Sequence, residues 1–347
     1  MPNLKVGNVY FYALFKLKRE ENVVIIAAIY IVLGFVLLIK GADILVDGSS
    51  SLAKRFHIPD IIIGLTIVSI GTSMPELFVS TASALEGHSD MAIGNVLGSN
   101  ACNLLLILGL STVIKAIRFK RETRLIEIPM CLAFTVIFMI LCNTGVGISK
   151  PESIILLGLF ALFIIYTIVM GIKGEKFGRK DKESEEAEEL ETKGKDTVSL
   201  LKSILFIILG VIGLKIGGDW TVDNALIIAK EFNLSEKIIS LTILAIGTSL
   251  PELVTSVTAA IKGNSDIAIG NIIGSNIFNM LLIIGVSALI KPITYNITYN
   301  IDMVILIIAT IILSMFPLIR PRNKMTRTNG TVFLGLYALY MVIMFNV

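Results

Sequence analysis

Any chemistry in this sequence has to be built around Glu76 and Glu252. They stand near the ends of two matched stretches, LTIVSIGTSMPEL at 65–77 and LTILAIGTSLPEL at 241–253. Each lies inside an apolar, helix-length segment. A charge at membrane depth costs at least about 2.5–3.5 kcal/mol and is functional by default. A structural ion pair would need a membrane-embedded base, but Lys40 and Lys215 lie near segment ends. Two buried acids without two buried bases point to a cation as their partner. Pro75 and Pro251 lack an N–H, and their rings clash with the carbonyls of Gly71 and Gly247. The helix therefore breaks there, and the carbonyls around 71–72 and 247–248 are free to turn toward an ion.

Spacing adds further oxygen. Ser69, Thr72, Ser73 and Glu76 share one helical face, as do Ala245, Thr248, Ser249 and Glu252. Asn95, Ser99 and Asn103 recur every four residues, and so do Asn271, Ser275 and Asn279; steps of four fall on one face. These amides serve as ligands or as interhelical hydrogen bonds. Gly94/Gly98 and Gly270/Gly274 read as close-packing pairs. The donor set is all oxygen, which suits Ca²⁺, Na⁺, K⁺ or Mg²⁺ rather than zinc or copper. Mg²⁺ prefers to keep its waters, so a dry cage favours Ca²⁺. Two carboxylates neutralise one Ca²⁺ or two Na⁺, with a third Na⁺ at neutral oxygens. Cations that need the same carboxylates compete, and an empty site leaves two unpaired acids in low dielectric. Obligatory exchange follows from that electrostatics.

These residues require helices that cross a membrane. Of 347 residues 54% are hydrophobic and 16% charged, with mean hydropathy +0.83; soluble domains are about 25% charged. A net charge of +3 in short clusters argues against nucleic-acid binding. Cys102, Cys131 and Cys142 lie in apolar runs and form no disulfide framework, and two histidines, His57 and His88, build no metal centre. Hydropathy predicts an all-α integral membrane protein with ten spans: 23–45, 58–86, 91–114, 125–143, 152–172, 199–217, 236–261, 267–290, 301–319 and 328–346. Residues 1–22 read as an interfacial amphipathic segment. A charged linker, 173–198, separates a five-helix unit at 23–172 from a second at 199–347.

Shifted by 176 residues, the sequence falls on itself: 64–115 and 240–291 share 30 of 52 positions without a gap. Gly41, Asp43 and Asp47 fall on Gly217, Asp219 and Asp223. Five helices is an odd number, so the second unit enters from the opposite side as an inverted repeat. The side holding the linker carries 20 Lys and Arg against 8 opposite. That predicts a cell-membrane protein with the linker cytoplasmic and both termini outside.

GTSMPE, GTSLPE, GNVLGSNACN and GNIIGSNIFN resemble the two α-repeats of the cation/calcium exchanger superfamily, and within it the prokaryotic sodium/calcium exchangers. The resemblance implies a Ca²⁺ site of Glu76, Glu252 and the Thr72 and Thr248 carbonyls. It implies Na⁺ sites from the same glutamates with Ser69, Ser73, Ser99, Asn103, Ala245, Thr248, Ser249, Ser275 and Asn279. It also implies that spans 1 and 6 slide past a rigid core. Some relatives, including potassium-dependent ones, carry Asp where this chain has Asn279. The proton/calcium exchangers carry an acid inside the GN motif, absent here. The long regulatory domain of the animal exchangers has no room in 173–198, and no EF-hand spacing occurs. Transported Ca²⁺ and Na⁺ and the bilayer are the expected partners, with no cofactor, nucleic acid or obligate protein partner. Proton- or other divalent-coupled antiport, a channel and an intramembrane metalloenzyme are the rivals; no nucleophile accompanies the glutamates, which argues against an enzyme.

Asp43, Asp47, Asp219 and Asp223 either line an ion entrance or mark helix ends. Ser89–Asp90 and Ser265–Asp266 read as N-caps, and sequons occur at Asn233, Asn296 and Asn329.

Overall fold

Large apolar side chains lie on the outside of this protein, and an unusual set of polar ones is buried within it. The computed structural model describes residues 4–56, 58–145, 147–177, 199–231, 245–316 and 323–346. Twelve helices follow in order: α1 Leu4–Phe56, α2 Asp60–Thr72, α3 Met74–Glu86, α4 Ser89–Ile114, α5 Thr123–Cys142, α6 Lys150–Phe177, α7 Leu200–Glu231, α8 Ala245–Thr248, α9 Leu250–Ile261, α10 Ser265–Ile290, α11 Asn300–Met315 and α12 Arg327–Asn346. Among the described residues seven stretches are long and apolar enough to cross a membrane unaided, and the α2–α3 pair, bent by 50°, makes an eighth, against the ten spans expected. The helices lie on the expected segments but overrun some ends. α1 continues unbroken from Leu4 to Phe56, so the lead-in and the first span are one helix. Residues 232–244, which include the first part of the expected seventh span (236–244), lie outside the described residues, as does most of the linker.

α4 and α10 form the centre: 72% and 83% of their apolar windows are buried, against 17% for α1 and for α6. Ile25, Ile29, Val32 and Val36 of α1 point outward. Contiguous apolar surface of this extent belongs in lipid, where helices satisfy their own backbone hydrogen bonds. Two short antiparallel ribbons tie the loops, Ile117–Arg118 with Lys324–Met325 and Gly147–Ile148 with Ile293–Thr294.

α1 and α7 pack antiparallel through a stripe the repeat alignment only hinted at. Gly34, Gly41 and Gly48 recur every seven residues and meet Gly217, Gly210 and Ser203. A Cβ on Gly34 would stand 2.8 Å from the Gly217 carbonyl oxygen, and one on Gly41 2.9 Å from that of Gly210. Small residues at such a seam let backbones approach closely.

The Gly270/Gly274 pair does the packing expected of it: a Cβ on Gly274 would lie 2.7 Å from the Leu65 carbonyl oxygen. Gly98 meets nothing within 4 Å among the described residues; its counterpart partners, near 241, fall outside them. Gly274→Ala therefore forces α10 off α2. We expect a destabilisation of about 1–3 kcal/mol, read as a lowered unfolding midpoint in detergent.

The N-caps sit one residue earlier than expected. His88 and Asn264 occupy the capping positions, and Asn264 Oδ1 accepts from the Ile267 N–H at 3.2 Å. Ser89 instead accepts from the Thr294 N–H, and Asp266 pairs with Lys120 at 2.9 Å. Two sequon asparagines close local turns: Asn296 accepts from the Thr298 N–H and Asn329 from that of Thr326. Asn233 lies outside the described residues.

Candidate cation site

The glycine–proline segments break their helices in the same way. α2 ends at Thr72, Ser73 takes φ −86° and ψ 10°, and α3 restarts with Pro75 in its first turn. Ser249 takes φ −89° and ψ 7° before Pro251. Proline is well placed in a first helical turn, and so is an acid, because the turn carries partial positive charge. Each glutamate thus stands one residue past its proline, at the start of a half-helix.

α4 and α10 form the opposite wall, and each has a π-helical segment, Cys102–Ile107 and Asn279–Ile283. Such wide turns recur at functional sites; here they hold Asn103 and Asn279. No residue type marks them, since no proline or glycine lies within either segment.

Ser73, Glu76, Ser99, Asn103, Ser249, Glu252, Ser275 and Asn279 are all buried to 1% exposure or less. Ser73 Oγ lies 2.7 Å from Glu252 Oε1 and 2.9 Å from Ser275 Oγ, so the two halves meet at Glu252. Ser99 donates to Glu76 Oε1 at 3.5 Å. The two carboxylates are within electrostatic reach of each other. Neither has an ion pair with lysine or arginine among the described residues.

Contacts across the centre come in reciprocal pairs related by the 176-residue shift. Thr72 Oγ1 donates to Asn271 Oδ1 at 3.1 Å, and Thr248 Oγ1 to Asn95 Oδ1 at 3.4 Å. Asn95 donates to Ser80 and Asn271 to Ser256, each at 2.9 Å. Asn100 and Asn276 donate to each other's carbonyls, both at 3.4 Å. Reciprocity of this kind is the mark of a local two-fold axis. Asn95 and Asn271 spend both ends of their amides and brace the broken helices. The Thr72 and Thr248 hydroxyls bond to these two amides. Ser69 donates back to the Leu65 carbonyl at 2.9 Å. Ala245 opens α8, and its side chain is outside the described residues.

Among the described residues, five of the buried oxygens at this centre have no hydrogen-bond partner: Glu76 Oε2, Glu252 Oε2, Asn103 Oδ1, Asn279 Oδ1 and Ser249 Oγ. Leaving a buried acceptor unmade is costly. All five can accept or coordinate, and they come from both halves. Oxygens of this kind are the donors that a hard cation takes. Among the described residues no three His, Cys, Asp or Glu side chains converge, so a bound ion would rest on two carboxylates and neutral oxygens.

The aspartates divide. Asp43 and Asp47 pair with Lys262, and Asp219 pairs with Lys215 one turn away. All lie within long helices rather than at their ends. Neither Lys262 nor the axial pair Asn100–Asn276 was singled out by spacing. Asn100 and Asn276 match at the 176-residue shift, which is the signal that could have found that pair.

The sodium/calcium exchanger protein family model matches residues 26–169 and 202–346, two segments whose starts are 176 residues apart. The chain belongs to that family, whose members are membrane cation/Ca²⁺ antiporters rather than catalysts. It is 33% identical to the putative antiporter CaxA of Alkalimonas amylolytica, covering 93% of this chain and 99% of that one. It is 31% identical to the sodium/calcium exchanger MaX1 of Methanosarcina acetivorans, covering 91% and 98%. The structure is similar to that of the sodium-calcium exchanger NCX_Mj soaked with Na⁺ and Sr²⁺, with TM-score 0.78, 32% identity and coverage of 92% and 98%.

Proposed function

We propose that this protein exchanges Ca²⁺ for Na⁺ by alternating access, with both ions held between Glu76 and Glu252 at the bilayer midplane. The observation that carries the reading is the set of five partnerless buried oxygens, supplied by both halves around the two carboxylates. Ca²⁺ is held by Glu76, Glu252 and the Thr72 and Thr248 carbonyls. Na⁺ draws on the same glutamates and on Ser69, Ser73, Ser99, Asn103, Ala245, Thr248, Ser249, Ser275 and Asn279. Gly71–Pro75 and Gly247–Pro251 are the breaks that free the backbone. Ten spans in two inverted five-helix repeats, residues 23–172 and 199–347, would put the two breaks on opposite sides of one midplane site. The cytoplasmic face carries the 173–198 linker, and both termini lie outside the cell membrane.

The test is ⁴⁵Ca²⁺ uptake into Na⁺-loaded vesicles in Na⁺-free buffer at fixed pH, with and without K⁺. Exchange predicts uptake that needs internal Na⁺ and ignores K⁺. Uptake that follows a proton gradient without Na⁺ would replace Na⁺ by H⁺ in this reading, and uptake needing neither would make the protein a channel.

A further inference from the structure

The outer faces of the two broken helices are covered unequally. α1 packs along α9, and its Leu38, Ala42 and Leu45 share a buried cluster with Leu250, Ala259 and Ala260. Shifted by 176 residues the same contact would be α7 along α3, and it is not made to a comparable extent. Phe78 on α3 is 58% exposed, whereas its counterpart on α9, Val254, is half-buried.

Lys262 stands at the end of the covered face. Its ammonium lies 2.6 Å from Asp43 Oδ1 and 2.7 Å from Asp47 Oδ1, and it donates to the Asp43 carbonyl at 2.9 Å. All three ammonium hydrogens are used on α1. Asn264 adds a bond to Ser50 at 2.8 Å. The 176-residue counterparts of Asp43 and Asp47 are Asp219 and Asp223, but that of Lys262 is Glu86. Asp219 turns to Lys215 on its own helix, and Glu86 stands near His88. If the two halves exchanged conformations, an ammonium between two carboxylates would be replaced by a third carboxylate. The fastening therefore exists in only one of two otherwise related arrangements.

We propose that Lys262 is a positioning residue, a one-sided clasp that holds the α1–α7 pair over the Glu252 half of the site and makes the two access states unequal. This rests on the alternating-access reading above. Both carboxylates are partly exposed, so the clasp is weak and screened by salt. It biases the two states and still opens.

Hydrogen–deuterium exchange on the purified full-length protein tests this without transport. Covering by α1 raises protection of a helix by opposing its local opening. In the wild type, amides of 254–261 should exchange more slowly than those of 78–85. Lys262→Gln should shrink that ratio about two- to fivefold, with Lys262→Arg retaining it. Glu86→Lys installs the missing cation on the other side and should protect 78–85; combined with Lys262→Gln it should invert the ratio. An unchanged ratio in monodisperse Lys262→Gln, or no added protection in Glu86→Lys, overturns the proposal. Where Lys262→Gln does not fold, Glu86→Lys decides alone. The expected exchange pattern without Na⁺-driven uptake would keep the clasp and remove the Na⁺ coupling.

Discussion

Glu76→Gln and Glu252→Gln are each expected to reduce Na⁺-driven ⁴⁵Ca²⁺ uptake by about 100-fold or more. Removing one partner of a buried, charge-balanced set costs about 3–5 kcal/mol, and each 1.4 kcal/mol is tenfold in affinity. Glutamine keeps the volume and one carbonyl oxygen, so packing in the buried centre survives. The ion-free variants carry one less uncompensated buried charge. They are therefore expected to unfold no earlier than the ion-free wild type while losing the rise in midpoint that Ca²⁺ gives it. Uptake that persists in either variant would show that the midplane carboxylates do not hold the transported ion.

Asn279→Asp carries the second large effect. Asn279 is fully buried, its Nδ2 donates to Asn100 Oδ1 at 3.0 Å, and its own Oδ1 has no partner. An ionised aspartate there sets an acceptor against the Asn100 oxygen and gives the centre a third negative charge. One Ca²⁺ then no longer balances it. We expect Ca²⁺ uptake at neutral pH without K⁺ to fall about tenfold. Protonation restores the donor toward Asn100 and removes the extra charge, so uptake should recover as pH falls, or on adding K⁺ as a companion ion. A variant as active as the wild type at every pH, without K⁺, would place Asn279 outside the ion's coordination.

The glutamates, the helix breaks and the two-fold recurrence were legible because each leaves a mark in residue type. An acid in an apolar run, a proline after glycine, and 30 matches at a constant shift do not arise from generic helix composition. Ser73 reaching Glu252 and Thr72 reaching Asn271 could not be read the same way, because they join residues about 200 positions apart. The π-helical turns at Asn103 and Asn279 come from tertiary packing and carry no residue signature. The expected end of the first span at 45 failed for a related reason. Asp43 and Asp47 read as an ion entrance or a helix end, but α1 continues past them, held by Lys262 and by the glycine contacts with α7. Ser89 and Ser265 were plausible caps by type, and their places were taken by His88 and Asn264 one residue earlier.

Each broken helix and each amide ladder is completed by the other half of the chain. α10 lies against α2, and the Asn95 and Asn100 amides find partners at Thr248 and Asn276. This sets a timetable for biogenesis. At about 5–20 residues per second, a ribosome needs roughly 10–35 s to reach each 176-residue counterpart. Throughout that interval α4 lacks the Thr248 donor to Asn95 and the Asn276 and Asn279 partners of Asn100, and hydrocarbon offers no substitute. The nascent first half must therefore wait beside the insertion machinery or another protein surface, and its release into lipid depends on the arrival of the second.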